Sequence, residues 1–148
     1  MTNNDFLYLL NLKKHFADNK IDLPCPGEKA TKPFKVMSNT TRDIFFLDTD
    51  RKSTITLTKQ KIQERHANSN TIMIRLEIDC PPHMYSDGTL SSRNHIHIFD
   101  EKQGNIAYDL SGEYGKLFSN IADFTTVFYD FCIMCNIDTE KVNIQGVI

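Results

Sequence analysis

With 148 residues, 40% of them hydrophobic and 24% charged, the chain has the size and composition of one ordinary globular domain spanning residues 1–148, which excludes a disordered or fibrous class. Its 17 basic and 19 acidic residues leave a formal charge of −2, so the chain as a whole exerts no electrostatic pull on nucleic acid. The start, Met1 to Asp5, lacks the basic opening of a secretory leader, and no apolar run reaches the ~18–20 residues that span a bilayer; a cytoplasmic home is expected, with Cys25, Cys80, Cys132 and Cys135 reduced or bound to metal.

In chain order, Phe6, Leu9, Leu10, Lys13 and Phe16 recur at three-to-four spacing behind the capping residues Thr2 to Asn4, which predicts an amphipathic helix over Asp5 to Phe16. Leu23 to Gly27 holds two prolines and reads as a loop. Strands are expected over Lys32 to Ser38, Arg42 to Asp48, Ser53 to Thr58 with an extension toward Arg65, and Thr71 to Asp79. In the last of these Ile72, Ile74, Leu76 and Ile78 alternate with Met73, Arg75, Glu77 and Asp79, the period of a half-buried strand. Asn94 to Phe99 and Asn105 to Leu110 flank the turn Glu101 to Gly104 and form a hairpin. Phe124, Val127, Phe128, Phe131 and Cys135 share one face of a second helix over Ile121 to Cys135. The expected architecture is α+β, a mainly antiparallel sheet with an N-terminal and a C-terminal helix packed on it.

Chemistry concentrates in Cys80 to Phe99, which holds three of the five histidines. Residues two apart on a strand share a face, so His95 and His97 project together. Cys80 and His83 leave the neighbouring strand through Pro81-Pro82 at a Cys-x-x-His spacing. A Cys80, His83, His95, His97 tetrahedron suits zinc, which accepts sulfur and nitrogen alike; Asp79 or Asp87 is the alternative to Cys80. A polar strand face with two incidental histidines is the competing reading. Cys132-x-x-Cys135 lies in an apolar helical run and reads as packing, while Cys25 reads as a loop or packing residue and His15 and His66 as surface residues with no partner in sequence. A metal hydrolase would need an open zinc position and a base such as Glu77, Asp79 or Asp100. No phosphate loop, nucleophile elbow or His-Glu-x-x-His helix is present, so no catalytic residue is assigned and a non-enzyme is expected.

The run Arg75 to His83, then Asp87-Gly88, then His95-Ile96-His97-Ile98, resembles the signature of a family of small uncharacterised bacterial and prophage proteins, with Pro24 to Lys29 and Phe46 to Arg51 also in the pattern. The chain departs from it at Cys80, where glycine is common, and lacks the tryptophan that follows the histidine strand. In size, compartment and expected zinc use it is also similar to small phage-encoded inhibitors of type II CRISPR systems. That resemblance implies a stoichiometric inhibitor with structural zinc whose partner is the type II CRISPR effector nuclease, contacted without direct nucleic-acid binding. Acidic residues such as Asp43, Asp48, Asp50, Asp100, Glu101, Asp109 and Glu113 would suit a basic nucleic-acid channel; a solvated face is their other reading.

Overall fold

The computed structural model describes residues 1–53 and 55–146. Its elements in chain order are α1 (Asn3–Asn11), β1 (Lys14–Phe16), β2 (Lys20–Asp22), β3 (Phe34–Ser38), β4 (Ile44–Asp50), β5 (Gln60–His66), β6 (Thr71–Ile78), β7 (His95–Asp100), β8 (Gly104–Asp109), a 3-10 turn (Glu113–Leu117), α2 (Phe124–Met134), β9 (Ile137–Asp138) and β10 (Asn143–Gln145). Eight strands form one sheet in the order β8-β7-β6-β5-β4-β3-β1-β9, antiparallel except for the β1–β9 pair, and β10 pairs with β2 in parallel. The α+β architecture with a helix near each end is the one the sequence predicts. Among the described residues no helix is long and apolar enough to cross a membrane.

A capping box starts α1: the Asp5 amide donates to Thr2 Oγ1 and the Thr2 amide to Asp5 Oδ2, each at 3.0 Å. The helix ends at Asn11, earlier than the expected Phe16. From Lys14 onward burial alternates instead, with Lys14 and Phe16 buried and His15 exposed, because Phe16 packs against Phe128 of α2 and Lys14 is drawn inward. Its ammonium donates to the carbonyls of Leu10 at 2.9 Å, Leu12 at 3.0 Å and Cys135 at 2.7 Å, so one cation serves the C-terminal carbonyls of both helices.

The strand expected over Ser53 to Thr58 is also displaced. Ser53 Oγ accepts from the amides of Ile55 and Thr56 and the segment turns, leaving Ile55 and Leu57 exposed; the strand begins at Gln60, and Thr54 lies outside the described residues. In β6 the register with β5 shifts at Glu64 and Arg65, which pair with Ile74 and Ile72. Met73 is the extra residue of a β-bulge. It is buried, and Ile72 faces solvent, whereas plain alternation assigns the reverse. From Ile74 to Ile78 the expected alternation holds. The hairpin turn is as predicted, with Gly104 at φ 81° and Asp100 Oδ2 accepting from the Lys102 and Gln103 amides.

One face of the sheet carries Val36, Phe45, Leu47, Ile62, Ile74, Leu76, Ile78 and Ile96, all buried in one cluster with Phe6 and Leu9 of α1 and Phe124, Val127, Phe128, Phe131 and Cys132 of α2. Asp123 caps α2. Cys132 and Cys135 are fully buried free thiols whose pKa values burial pushes up, so they pack rather than react.

Glu64 interrupts this apolar face. It is wholly buried and neither carboxyl oxygen has a hydrogen-bond partner among the described residues; its neighbours are the Lys14 ammonium, already spent on carbonyls, and the Cys135 thiol. Burial raises its pKa above the ordinary 4.5, opposed by Lys14. The folded chain therefore keeps a proton that the unfolded chain releases above about 4.5, and stability falls as pH rises beyond that value. Glu64→Gln should raise the unfolding free energy at neutral pH by roughly 1–2 kcal/mol, with the gain shrinking as pH drops toward 4. Denaturant titrations across pH check this; a variant no more stable at pH 7 would show that Lys14 compensates the carboxylate fully.

Candidate metal centre

The second face of the sheet is polar where β6, β7 and β8 meet. Antiparallel pairing sets Glu77 opposite His95 and Arg75 opposite His97, and cross-strand partners share a face with Cβ atoms about 4.5–5.5 Å apart. All four side chains therefore stand together, while Leu76, Ile78 and Ile96 go to the core. The connection from Asp79 to Asn94 folds over them. Its base is closed by Asp79, at φ 54°, whose carboxylate accepts from Arg93 Nε at 2.9 Å and from the Thr58 hydroxyl. Its middle is a small ribbon: the His83 amide donates to Ser91 Oγ and the Ser91 amide to the His83 carbonyl, both at 2.8 Å. The Tyr85 hydroxyl reaches the Ala107 carbonyl of β8 at 3.2 Å. Beneath this cover His95 is 1% and His97 6% exposed.

One ligand atom from each of Glu77, His95 and His97 lies within 4.8 Å of the other two. Nε2 of His95 is 2.9 Å and Nε2 of His97 3.9 Å from the same carboxylate oxygen, Glu77 Oε2. These values straddle the ~3.3 Å that separates neighbouring ligands of a tetrahedral ion with bonds near 2.0 Å. The outward nitrogens are already engaged: His95 Nδ1 faces the Ser92 carbonyl at 3.0 Å and His97 Nδ1 faces Asn105 Oδ1 at 2.9 Å. Both partners are acceptors, so each Nδ1 carries the hydrogen and each Nε2 of a neutral ring presents a lone pair. Such an acceptor behind a histidine fixes the tautomer that binds metal. Two lone pairs and a carboxylate oxygen converging beneath this cover repel one another unless a hydrogen or a cation stands between them. A proton shared by His95 and Glu77 fills that role for one ring, and a metal ion would fill it for both.

The carboxylate is divided between two tasks. Arg75 Nε lies 2.9 Å from Glu77 Oε1, an ion pair at an angle too poor for a hydrogen bond, and Lys61 Nζ is 3.9 Å from it, which leaves Oε2 to the histidines. Burial would raise the Glu77 pKa, yet the His95 hydrogen bond and the charges of Arg75, His95 and His97 outweigh it and hold the group at about 2. Burial lowers the His97 pKa and so favours the neutral ring. An ionised carboxylate beside two imidazoles is a donor set for a divalent transition metal, which would displace any proton held on the ligating nitrogens.

Of the four residues the sequence singles out, the structure brings His95 and His97 together and sets His83 edge-on to His97, ring centroids 5.3 Å apart. Cys80 is outside the group: its buried sulfur lies 3.7 Å from the Gln60 carbonyl and 3.5 Å from that of Ile78, and burial raises its thiol pKa. Asp79 is spent on Arg93 and Thr58. Asp87 caps the exposed turn through Thr89, and Asp100 caps the β7–β8 turn. Glu77, read from sequence only as a possible base, is the acid the register delivers. Its signal was its place opposite the core-facing Leu76 and Ile78.

The family model of DUF6978, described as a family of unknown function, matches residues 1–137, and the chain belongs to that family. The matched span includes every residue of the centre. No curated protein matches the chain, and no solved structure does.

His95→Ala and His97→Ala should each weaken Zn(II) or Co(II) binding by more than about 100-fold, and Glu77→Gln by at least about tenfold. Cys80→Ala should retain the metal, and the Co(II) form should lack a thiolate charge-transfer band. Competition with a chromogenic chelator and the cobalt spectrum decide this; loss of metal in Cys80→Ala would restore the thiolate as a ligand.

Proposed function

We propose that this member of DUF6978 is a zinc-stapled binding domain, in which the ion joins Glu77, His95 and His97 to His83 of the overlying 79–94 segment and acts structurally. The observation behind this reading is the convergence of the Glu77 carboxylate with two histidines whose Nδ1 atoms are already satisfied, under a cover that leaves them almost unexposed. Zinc suits nitrogen and oxygen ligands in a closed four-coordinate site. His83 is the nearest further donor, and a modest rotation of its ring, now beside His97, would complete the shell.

The ion would tie the 79–94 segment to the sheet. Metal bound only by the folded state adds to its stability. About one zinc per chain is expected in protein purified without chelator. Its removal should lower the melting temperature and open bonds within 83–91 to limited proteolysis while β4 to β6 stay protected. Unchanged melting and unchanged cleavage after chelation would sink the structural role.

A second reading has one observation in its favour. His97 and Arg75 line a shallow cleft of about 350 Å³, and two histidines with one glutamate also form the protein ligand set of catalytic zinc centres that keep a position for water. His83→Ala separates the two: a structural site loses affinity, whereas an open site keeps the metal.

For the partner, we propose the type II CRISPR effector nuclease, bound stoichiometrically and without catalysis in the manner of a phage-borne inhibitor. The likeness in size, compartment and expected zinc use supports this choice, and a metal-fastened surface would give such a binder the rigidity it needs. Purified chain and guide-loaded nuclease should co-migrate on a sizing column, and DNA cleavage should fall in proportion to the molar ratio, ending near equivalence. No complex and no loss of cleavage across several type II nucleases would retire the inhibitor reading and leave the zinc centre standing. Inactivation of excess nuclease by trace amounts of the chain would make it an enzyme.

A further inference from the structure

On the core side of the sheet, away from the metal centre, a cleft of about 710 Å³ opens where the ends of β5 and β6 meet the loops before β3 and α2. Its walls include Leu57, Ile78, Ile121 and Ala122, together with Arg51 and Gln60. Drug-sized and metabolite-sized ligands occupy clefts of roughly 300–1,000 Å³ with apolar walls and a few placed polar groups.

Arg51 is the unusual member. It is only 7% exposed, and among the described residues it forms no salt bridge. One Nη donates to the Pro24 carbonyl at 3.2 Å and the guanidinium lies over the Phe124 ring at 4.6 Å, but Nε has no hydrogen-bond partner. A charge taken out of water without a contacting counter-ion is costly. The other arginine at the cleft, Arg93, is committed to Asp79, and that pairing also consumes the acid lining the wall. Gln60, 3% exposed, donates Nε2 to the Ile121 carbonyl at 2.8 Å and leaves Oε1 buried without a donor. The cleft thus holds a cation that no anion contacts among the described residues, its charge opposed at longer range by Asp123, and an unmet acceptor beside apolar surface.

We infer that this cleft binds a small organic carboxylate with an apolar body, its anion neutralising Arg51 and a hydroxyl or amide hydrogen meeting Gln60. The apolar body lies against Leu57, Ile78 and Ile121. Leu57 is 67% exposed on the cleft wall, which leaves apolar surface for a bound ligand to cover. The proposed contacts use none of Glu77, His95 and His97.

Mandelate, phenylacetate and benzyl alcohol are suitable probes, since they share an apolar ring and differ in charge and donor. Titrated into the zinc-loaded full chain and followed by amide NMR, mandelate should shift resonances around Leu57, Gln60, Ile78 and Ile121 with a dissociation constant below about 10 mM. Phenylacetate should bind more weakly and benzyl alcohol not measurably. Arg51→Met should abolish binding. Because that change sits in a buried site, Leu57→Glu at the exposed rim serves as the second variant, keeping the melting temperature and weakening mandelate by at least about tenfold. No shifts with either acid, or equal binding of the neutral alcohol, would overturn the proposal.

Discussion

The register between β6 and β7 governs the polar face of the molecule. Had β7 slipped by one residue, Ile96 and Ile98 would face the 79–94 segment and both histidines would enter the core. The core prevents that slip, because Leu76 pairs with Ile96 and Ile74 with Ile98 on the helix-covered face. Hydrophobic burial, worth roughly 1.5–3 kcal/mol per large aliphatic side chain, thereby fixes the position of Glu77 opposite His95. Packing on one side of the sheet places the ligand atoms on the other.

Buried charge is handled differently on the two faces. On the polar face Glu77 is surrounded by Arg75, Lys61 and two histidines, and its anion is more than compensated. On the core face Lys14 is satisfied by three carbonyls and Glu64 by no hydrogen bond. The first arrangement tolerates a carboxylate at any working pH, and the second penalises one as soon as it ionises. Glu64 is therefore a local cost within the apolar core, and nothing in the structure explains its presence beyond its proximity to Lys14 and Cys135.

Much of this was legible in the residue pattern, for identifiable reasons. The alternation from Ile74 to Ile78, the Glu101 to Gly104 turn and the aromatic stripe of α2 are local signals, and each produced its element. His95 and His97 were readable because a two-residue spacing needs only the strand itself. Glu77 was not read as a ligand, since its role depends on a pairing across strands, and the nearby Cys80-x-x-His83 spacing offered a simpler local chelate. The helix expected to reach Phe16 failed because Lys14 and Phe16 fit a helical period while tertiary contacts to Cys135 and Phe128 hold them in a strand. Ser53 to Thr58 has the alternation of a strand, but Ser53 diverts the backbone amides into a turn. The parallel partners β9 and β10, two and three residues long, carry too little pattern for any local reading.

The division of labour between the faces also bears on what a metal ion contributes. The helix-covered core is continuous from Phe6 to Ile137 and contains none of the three cluster residues, so the sheet has its own reason to form. The 79–94 segment has far less: a short ribbon, an exposed Met84 and Leu90, and a base pinned by Asp79 and Arg93. A cation among Glu77, His95 and His97 relieves repulsion on the sheet, and recruitment of His83 would extend that relief to the segment above. The free energy of binding such an ion would count toward the stability of the whole fold, because the unfolded chain does not assemble the site. Its structural consequence would be local, because much of the segment is held by polar contacts rather than by the core.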